Sequence, residues 1–163
     1  MARSSPYITP EGHRALQDEL KYLWQKKRPE VTRAVTAAAA EGDRSENAEY
    51  IYRKKQLREI DRRVRYLRKR LDEVRPVPPR SDKTDKVFFG AHVTLHEEDG
   101  TEVRYRIVGA DETDAKRGWI SVDSPVARAL LGKAVGEEVA VRTPTGERWL
   151  EIAAVEYNAA DGA

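Results

Sequence analysis

Apolar residues recur every three or four positions from Leu16 to Ala38 and again from Tyr50 to Val74, and beyond Lys86 the period shortens to two. The first seam runs through Leu20, Trp24, Lys27, Val31, Ala34 and Ala38, the second through Tyr50, Arg53, Leu57, Ile60, Val64, Leu67, Leu71 and Val74. Such spacing keeps one stripe of a helix against a partner. If the two helices fold back on each other, facing residues have position numbers with a constant sum, because both helices rise equally per residue. Leu16 with Leu71, Leu20 with Leu67 and Leu23 with Val64 share one sum; Val31 with Leu57 and Ala38 with Tyr50 share the next integer. The pattern predicts a long antiparallel coiled-coil hairpin over residues 1–75 with its tip at 41–47. Each arm has about 30 residues and spans on the order of 45 Å. The run Ala37 to Ala40 keeps the end of the first arm slim.

The element ends have chemical reasons. Thr9-Pro10-Glu11 supplies a hydroxyl cap, a ring that sets φ where no N–H partner is needed, and an acid at the positive end of the helix dipole. Pro29 falls inside the periodic pattern, and because the apolar spacing resumes at Val31 it predicts a kink or a local loosening, not an end. The second helix is expected from about Ser45 to Val74, followed by a stiff Pro-rich linker at 76–85. Over 86–158 the alternation predicts a small α+β domain. It has a hairpin of Ala91, Val93, Leu95 and Val103, Tyr105, Ile107 around Glu98-Asp99-Gly100, and a third strand at Trp119 to Val122. A short helix opens at Ser124-Pro125, and two further strands, Val139 to Val141 and Trp149 to Val155, complete it.

Charge separates the two halves. Overall the chain is 36% charged with a net charge of +2, yet residues 51–70 hold ten Lys or Arg against Glu59 and Asp61. With so few acids between them, those cations should attract phosphates and bind in a salt-dependent way, Arg53, Lys54, Arg58 and Arg62 being nearest the tip. Lys27, a charged seam position, is expected to pair with Asp61 or to run past Ile60. His13, His92 and His96 are too scattered for a metal site and are expected in surface roles. There is no cysteine, no secretory signal and no apolar run of membrane-spanning length, so a cytoplasmic protein without a membrane is expected.

The candidate chemistry sits at the tip. Asp43-x-x-Glu46 has the spacing of a capping box, with Ser45 as a competing cap. It also offers two carboxylates, which suit Mg²⁺: that ion takes one or two carboxylates and keeps its waters, so its remaining ligands would come from a partner. No nucleophile-base arrangement or Gly-rich phosphate loop is present.

Several motifs resemble one family. Ile8-Thr9-Pro10-Glu11-Gly12, Arg28-Pro29-Glu30-Val31, Gly42-Asp43-Arg44-Ser45-Glu46-Asn47-Ala48-Glu49-Tyr50, and Asp123-Ser124-Pro125 with Ala127-Arg128-Ala129-Leu130 are similar to the bacterial Gre transcript-cleavage factors. Glu59 to Leu67 and Val87-Phe88-Phe89-Gly90 resemble the GreB branch. The resemblance implies a C-terminal FKBP-like domain and a protein that is a monomer when free. Its partner would be RNA polymerase, met through the secondary channel and the rim coiled coil. At the tip, Asp43 and Glu46 would share a Mg²⁺ with the polymerase active site, none being held stably alone, so that the polymerase cleaves the 3′ end of its nascent, backtracked RNA. Ser45, Asn47 and Tyr50 would support those acids; Asp123, Ser124 and Pro125 would contact the polymerase. The factor would be an accessory and not itself an enzyme. The competing reading is a channel-occupying inhibitor or a coiled-coil RNA-binding protein, neither of which needs the acidic pair.

Overall fold

The computed structural model describes residues 4–42 and 47–157. The chain forms two compact units, His13–Glu73 and the paired segments Met1–Gly12 and Val74–Ala163.

In the helical unit, α1 (Pro10–Tyr22), a π-helical turn (Leu23–Lys27) and α2 (Arg28–Ala39) form one arm, and α3 (Ala48–Glu73) forms the other. Pro29 lacks an N–H and its ring crowds the carbonyl four residues back. The turn ahead of it widens to π pitch and the helix continues, as the resumed spacing predicts. A π turn carries one extra residue, which accounts for the step of one in the facing sums between Leu23 with Val64 and Val31 with Leu57. Val31, Ile60 and Val64 are buried, with Leu20, Leu23, Val35 and Leu57 packed against them. The arms run antiparallel: Arg63 makes two hydrogen bonds to Glu19 at 2.7 and 2.8 Å, while Arg28 bonds Asp61 at 2.6 Å.

The widened turn changes two seam assignments. Trp24 is 45% exposed instead of buried in the seam, with the guanidinium carbons of Arg28 and Arg68 lying 5.3 and 4.5 Å from its ring centroid. Asp61 pairs with Arg28 and not with Lys27, because the extra residue moves the facing position one step along the chain. Arg70, expected on the basic face, is buried.

The other unit is built on a five-stranded sheet, ordered β5-β4-β3-β7-β6, from β3 (His92–Glu97), β4 (Glu102–Val108), β5 (Trp119–Ser121), β6 (Glu138–Thr143) and β7 (Gly146–Glu156). Only the β4–β5 pair is parallel. The expected hairpin has Val93 opposite Tyr105 and Leu95 opposite Val103. Its inward positions Ala91, Val93, Leu95 and Ile107 form one core with Val139, Val141, Leu150 and Ile152, and α4 (Pro125–Leu130) adds Ala127 and Leu130. His92 is buried on β3, against the expected surface role.

The first residues of the chain belong to this sheet unit. β1 (Tyr7–Ile8) pairs in parallel with β2 (Arg75–Pro76), and the amides of Arg75 and Val77 donate to the carbonyls of Pro6 and Ile8 at 2.7 and 2.8 Å. The start of the Pro-rich stretch is therefore hydrogen-bonded strand. Thr9 is buried and caps α1, its hydroxyl oxygen accepting the Gly12 amide at 3.1 Å. The Glu112 carboxylate accepts the amides of Thr9 and Gly109 at 2.9 and 2.7 Å and the Thr9 hydroxyl.

Candidate functional site

Helix α2 ends at Ala39 and α3 begins at Ala48, so the motif Glu41 to Asn47 occupies their junction. Asp43, Arg44, Ser45 and Glu46 lie outside the described residues. The flanks are defined. Gly42 has φ +131°, a conformation that side chains with a Cβ rarely adopt. Asn47 bonds both helices: its side-chain amide donates to the Ala38 carbonyl at 2.7 Å, and its Oδ1 accepts the Tyr50 amide at 3.0 Å. The second helix therefore starts three residues later than the sequence suggests, and its cap is Asn47, so α3 needs neither Asp43 nor Ser45 in that role. An Asn directly before the first helical residue was the available signal. Tyr50 is half-buried one turn on, with Lys54 Nζ 5.3 Å from its ring centroid.

The four cations expected to meet RNA divide. Arg53 is half-buried and committed to its own helix, donating to Glu49 at 2.8 Å and Gln56 at 3.0 Å. The Glu49 hydrogen bond holds its guanidinium pKa above the ordinary value. Lys54, Arg58 and Arg62 are exposed.

In the sheet unit, Asp123 and Ser124 lie between β5 and α4, whose first residue is Pro125. Ser124 caps α4 by accepting the Ala127 amide at 3.3 Å, and Pro125 opens the helix where no N–H is needed. Asp123 is half-buried; its carboxylate accepts the Ser5 amide at 2.9 Å and its own amide donates to Ser121 Oγ at 3.0 Å. Local packing thus fixes the segment's shape and leaves Pro125 exposed. Among the described residues no group of three or more His, Cys, Asp or Glu is placed to hold a metal ion, and no helix is long and apolar enough to cross a membrane.

A helical unit with an acidic junction and a separate sheet unit define a two-part factor, and comparison with known proteins gives its class. Residues 6–75 match the family described as transcription elongation factor, N-terminal, and residues 82–157 match transcription elongation factor, GreA/GreB, C-terminal. The chain belongs to the GreA/GreB family of transcription elongation factors. Transcription elongation factor GreB of Pseudomonas aeruginosa is 58% identical over 153 residues, 94% of this chain and 91% of that protein. The GreB of Yersinia pestis is 56% identical over 161 residues, 99% of this chain and 94% of that one. Among solved structures, the GreA factor homolog 1 (Gfh1) of Thermus thermophilus matches at 22% identity and a TM-score of 0.41, over 94% of this chain and 99% of that one.

Proposed function

We propose that this protein binds RNA polymerase, enters its secondary channel with the helical unit and stimulates the polymerase's own hydrolysis of the 3′ end of backtracked nascent RNA. The observation that carries this reading is the junction: in a chain of the elongation-factor family, Asn47 fastens α2 to α3 directly beside the Asp43 and Glu46 motif. Antiparallel pairing of the arms supports a coiled-coil hairpin, and the five-stranded sheet with one short helix supports an FKBP-like reading of the sheet unit.

Asp43 and Glu46 would hold a Mg²⁺ shared with the polymerase. Two carboxylates fit that ion's preference for oxygen ligands and leave its other positions to water and polymerase groups. When bound, the ion supplies charge stabilisation and an activated water. The chain has no reaction site of its own and acts as an accessory. Asn47 and Tyr50 support the acids from the start of α3, where the Tyr50 amide donates to Asn47, and Ser45 supports them from within the motif. Lys54, Arg58 and Arg62 face RNA phosphates, with Arg53 bracing their helix. Asp123, Ser124 and Pro125 meet the rim coiled coil of the polymerase, with the factor acting as a monomer in the cytoplasm.

The test is a stalled, backtracked elongation complex with labelled RNA, incubated with and without the protein. Shortened RNA that can then be extended is the expected result. RNA of unchanged length with blocked extension would mark a channel-occupying inhibitor instead.

A further inference from the structure

We propose that Trp24 is a stacking platform for a base of single-stranded RNA, set at the far end of a basic stripe on α3. The inference deepens the proposed function, on which it rests for the RNA it would meet, by giving that RNA a second kind of contact beyond its phosphates.

A π turn is rare and recurs at functional sites. Pro29 accounts for the widening at Leu23–Lys27, but not for the residue that the widened turn presents. Leu20 and Leu23 pack against the core of Val31, Ile60 and Val64, whereas the Trp24 side chain stands 45% exposed. Its neighbours Gln25 and Lys26 are the polar residues that a solvated turn ordinarily carries. An indole left half in water forgoes much of the burial that so large a ring can gain. Covering it would recover that gain.

The surroundings of Trp24 suit a nucleic acid. The guanidinium carbons of Arg68 and Arg28 lie 4.5 and 5.3 Å from its ring centroid, close enough for cation–π attraction. Arg68 ends a row, Lys54, Arg58, Arg65 and Arg68, whose spacing of four, seven and three keeps it on one stripe of the helix. All four are exposed. Asp61, the acid on that stripe between Lys54 and Arg68, is paired with Arg28 at 2.6 Å. The stripe therefore complements a phosphate chain. At its other end Lys54 Nζ lies 5.3 Å from the Tyr50 ring centroid, so an aromatic ring beside a cation marks both ends. Tyr50 and Arg68 are separated by about 27 Å of helix, a track long enough for several nucleotides. Single strands are commonly held in this manner: cations follow the backbone while aromatic faces take bases with little regard to sequence, because every base has a π face. All of these residues lie within the helical unit.

The experiment titrates the full chain into a dye-labelled, mixed-sequence single-stranded RNA, read by fluorescence anisotropy at several salt concentrations. The parent is compared with Trp24→Phe, Trp24→Leu and Arg68→Gln. Trp24→Leu should lower the affinity on the order of tenfold, the size of one base–aromatic stack, while Trp24→Phe keeps a π face and should lose about threefold or less. Loss of a stack releases no counterions, so the slope of log affinity against log salt should be unchanged in Trp24→Leu, whereas Arg68→Gln should reduce it by roughly 0.7. In backtracked complexes, subsaturating Trp24→Leu should stimulate cleavage less than the parent where the extruded RNA is long, and equally where the extrusion is shortest. Parent-like RNA affinity in Trp24→Leu, or no measurable RNA binding by the parent, overturns the proposal. So does a slope in Trp24→Leu reduced as in Arg68→Gln, which would make the ring a mere support for that arginine. A loss confined to affinity for polymerase without RNA would mark a protein contact and overturns it too. Failure of the parent to stimulate cleavage, with RNA affinity still dependent on Trp24, would instead overturn the proposed function and leave the stacking site standing.

Discussion

Asn47 carries two hydrogen bonds that do different work: Oδ1 caps α3 at Tyr50, and the side-chain amide holds the end of α2 through Ala38. Asn47→Ala should lower the stability of the helical unit by about 1 kcal/mol. Asn47→Asp keeps an acceptor for Tyr50 but loses the donor to Ala38, so it should fall between the two. Denaturant melts followed by far-ultraviolet circular dichroism check this, and equal loss in both variants would assign the whole effect to the Ala38 bond. At this scale the sequence was only partly legible. Cap chemistry at Thr9 and Ser124 could be read locally, since each hydroxyl serves an amide three residues on. Glu112 could not, because its partner Thr9 is 103 residues away and no spacing rule joins them.

At the scale of elements, periodicity was the reliable guide, since an apolar seam must face its partner whatever the loops do. The unit step in the facing sums already encoded the π turn before Pro29, although Trp24 still read as a seam residue until the extra residue rotated it outward. β1 and β2 escaped detection because two-residue strands have no period to show. The far end of β7 is held by Tyr157, whose hydroxyl donates to the Lys86 carbonyl at 2.7 Å and accepts the Phe88 amide at 2.9 Å. Burial raises its pKa above the ordinary 10.0, partly offset by the Phe88 hydrogen bond and Arg80. The unfolded chain therefore ionises first. The stability this group contributes is present below a pH of about 10 and is lost as pH rises towards the folded pKa. Tyr157→Phe should cost roughly 1–3 kcal/mol by removing the acceptor from the Phe88 amide. It should also flatten the alkaline fall in melting temperature, and an identical pH profile in the variant would remove Tyr157 as its cause.

Over the whole molecule, charge is divided by unit: residues 51–70 of α3 are strongly basic, whereas the segment from Lys86 to Tyr157 holds nine basic and thirteen acidic residues. Since Arg53 is engaged by Glu49 and Gln56, the proposed phosphate contacts near the tip fall to the exposed Lys54, Arg58 and Arg62. Reversing those three to Glu should weaken association with complexes carrying longer extruded RNA. Each lost phosphate contact should reduce the slope of log affinity against log salt by roughly 0.7 to 0.9. Titrations at several salt concentrations check this, and an unchanged slope would make the face a merely solvated one. On the proposed function the junction acids act in the chemistry and not in folding or docking. The deciding measurement adds Asp43→Ala and Glu46→Ala proteins, at saturating concentration, to backtracked complexes with labelled RNA, while polymerase binding is measured in parallel. Interactions made only in the transition state change rate without changing affinity, so stimulated cleavage should be lost while binding and melting temperature stay at parent values. Cleavage at the parent rate in both variants, or a loss that merely follows weakened binding or a lowered melting temperature, would rule out a chemical role for Asp43 and Glu46.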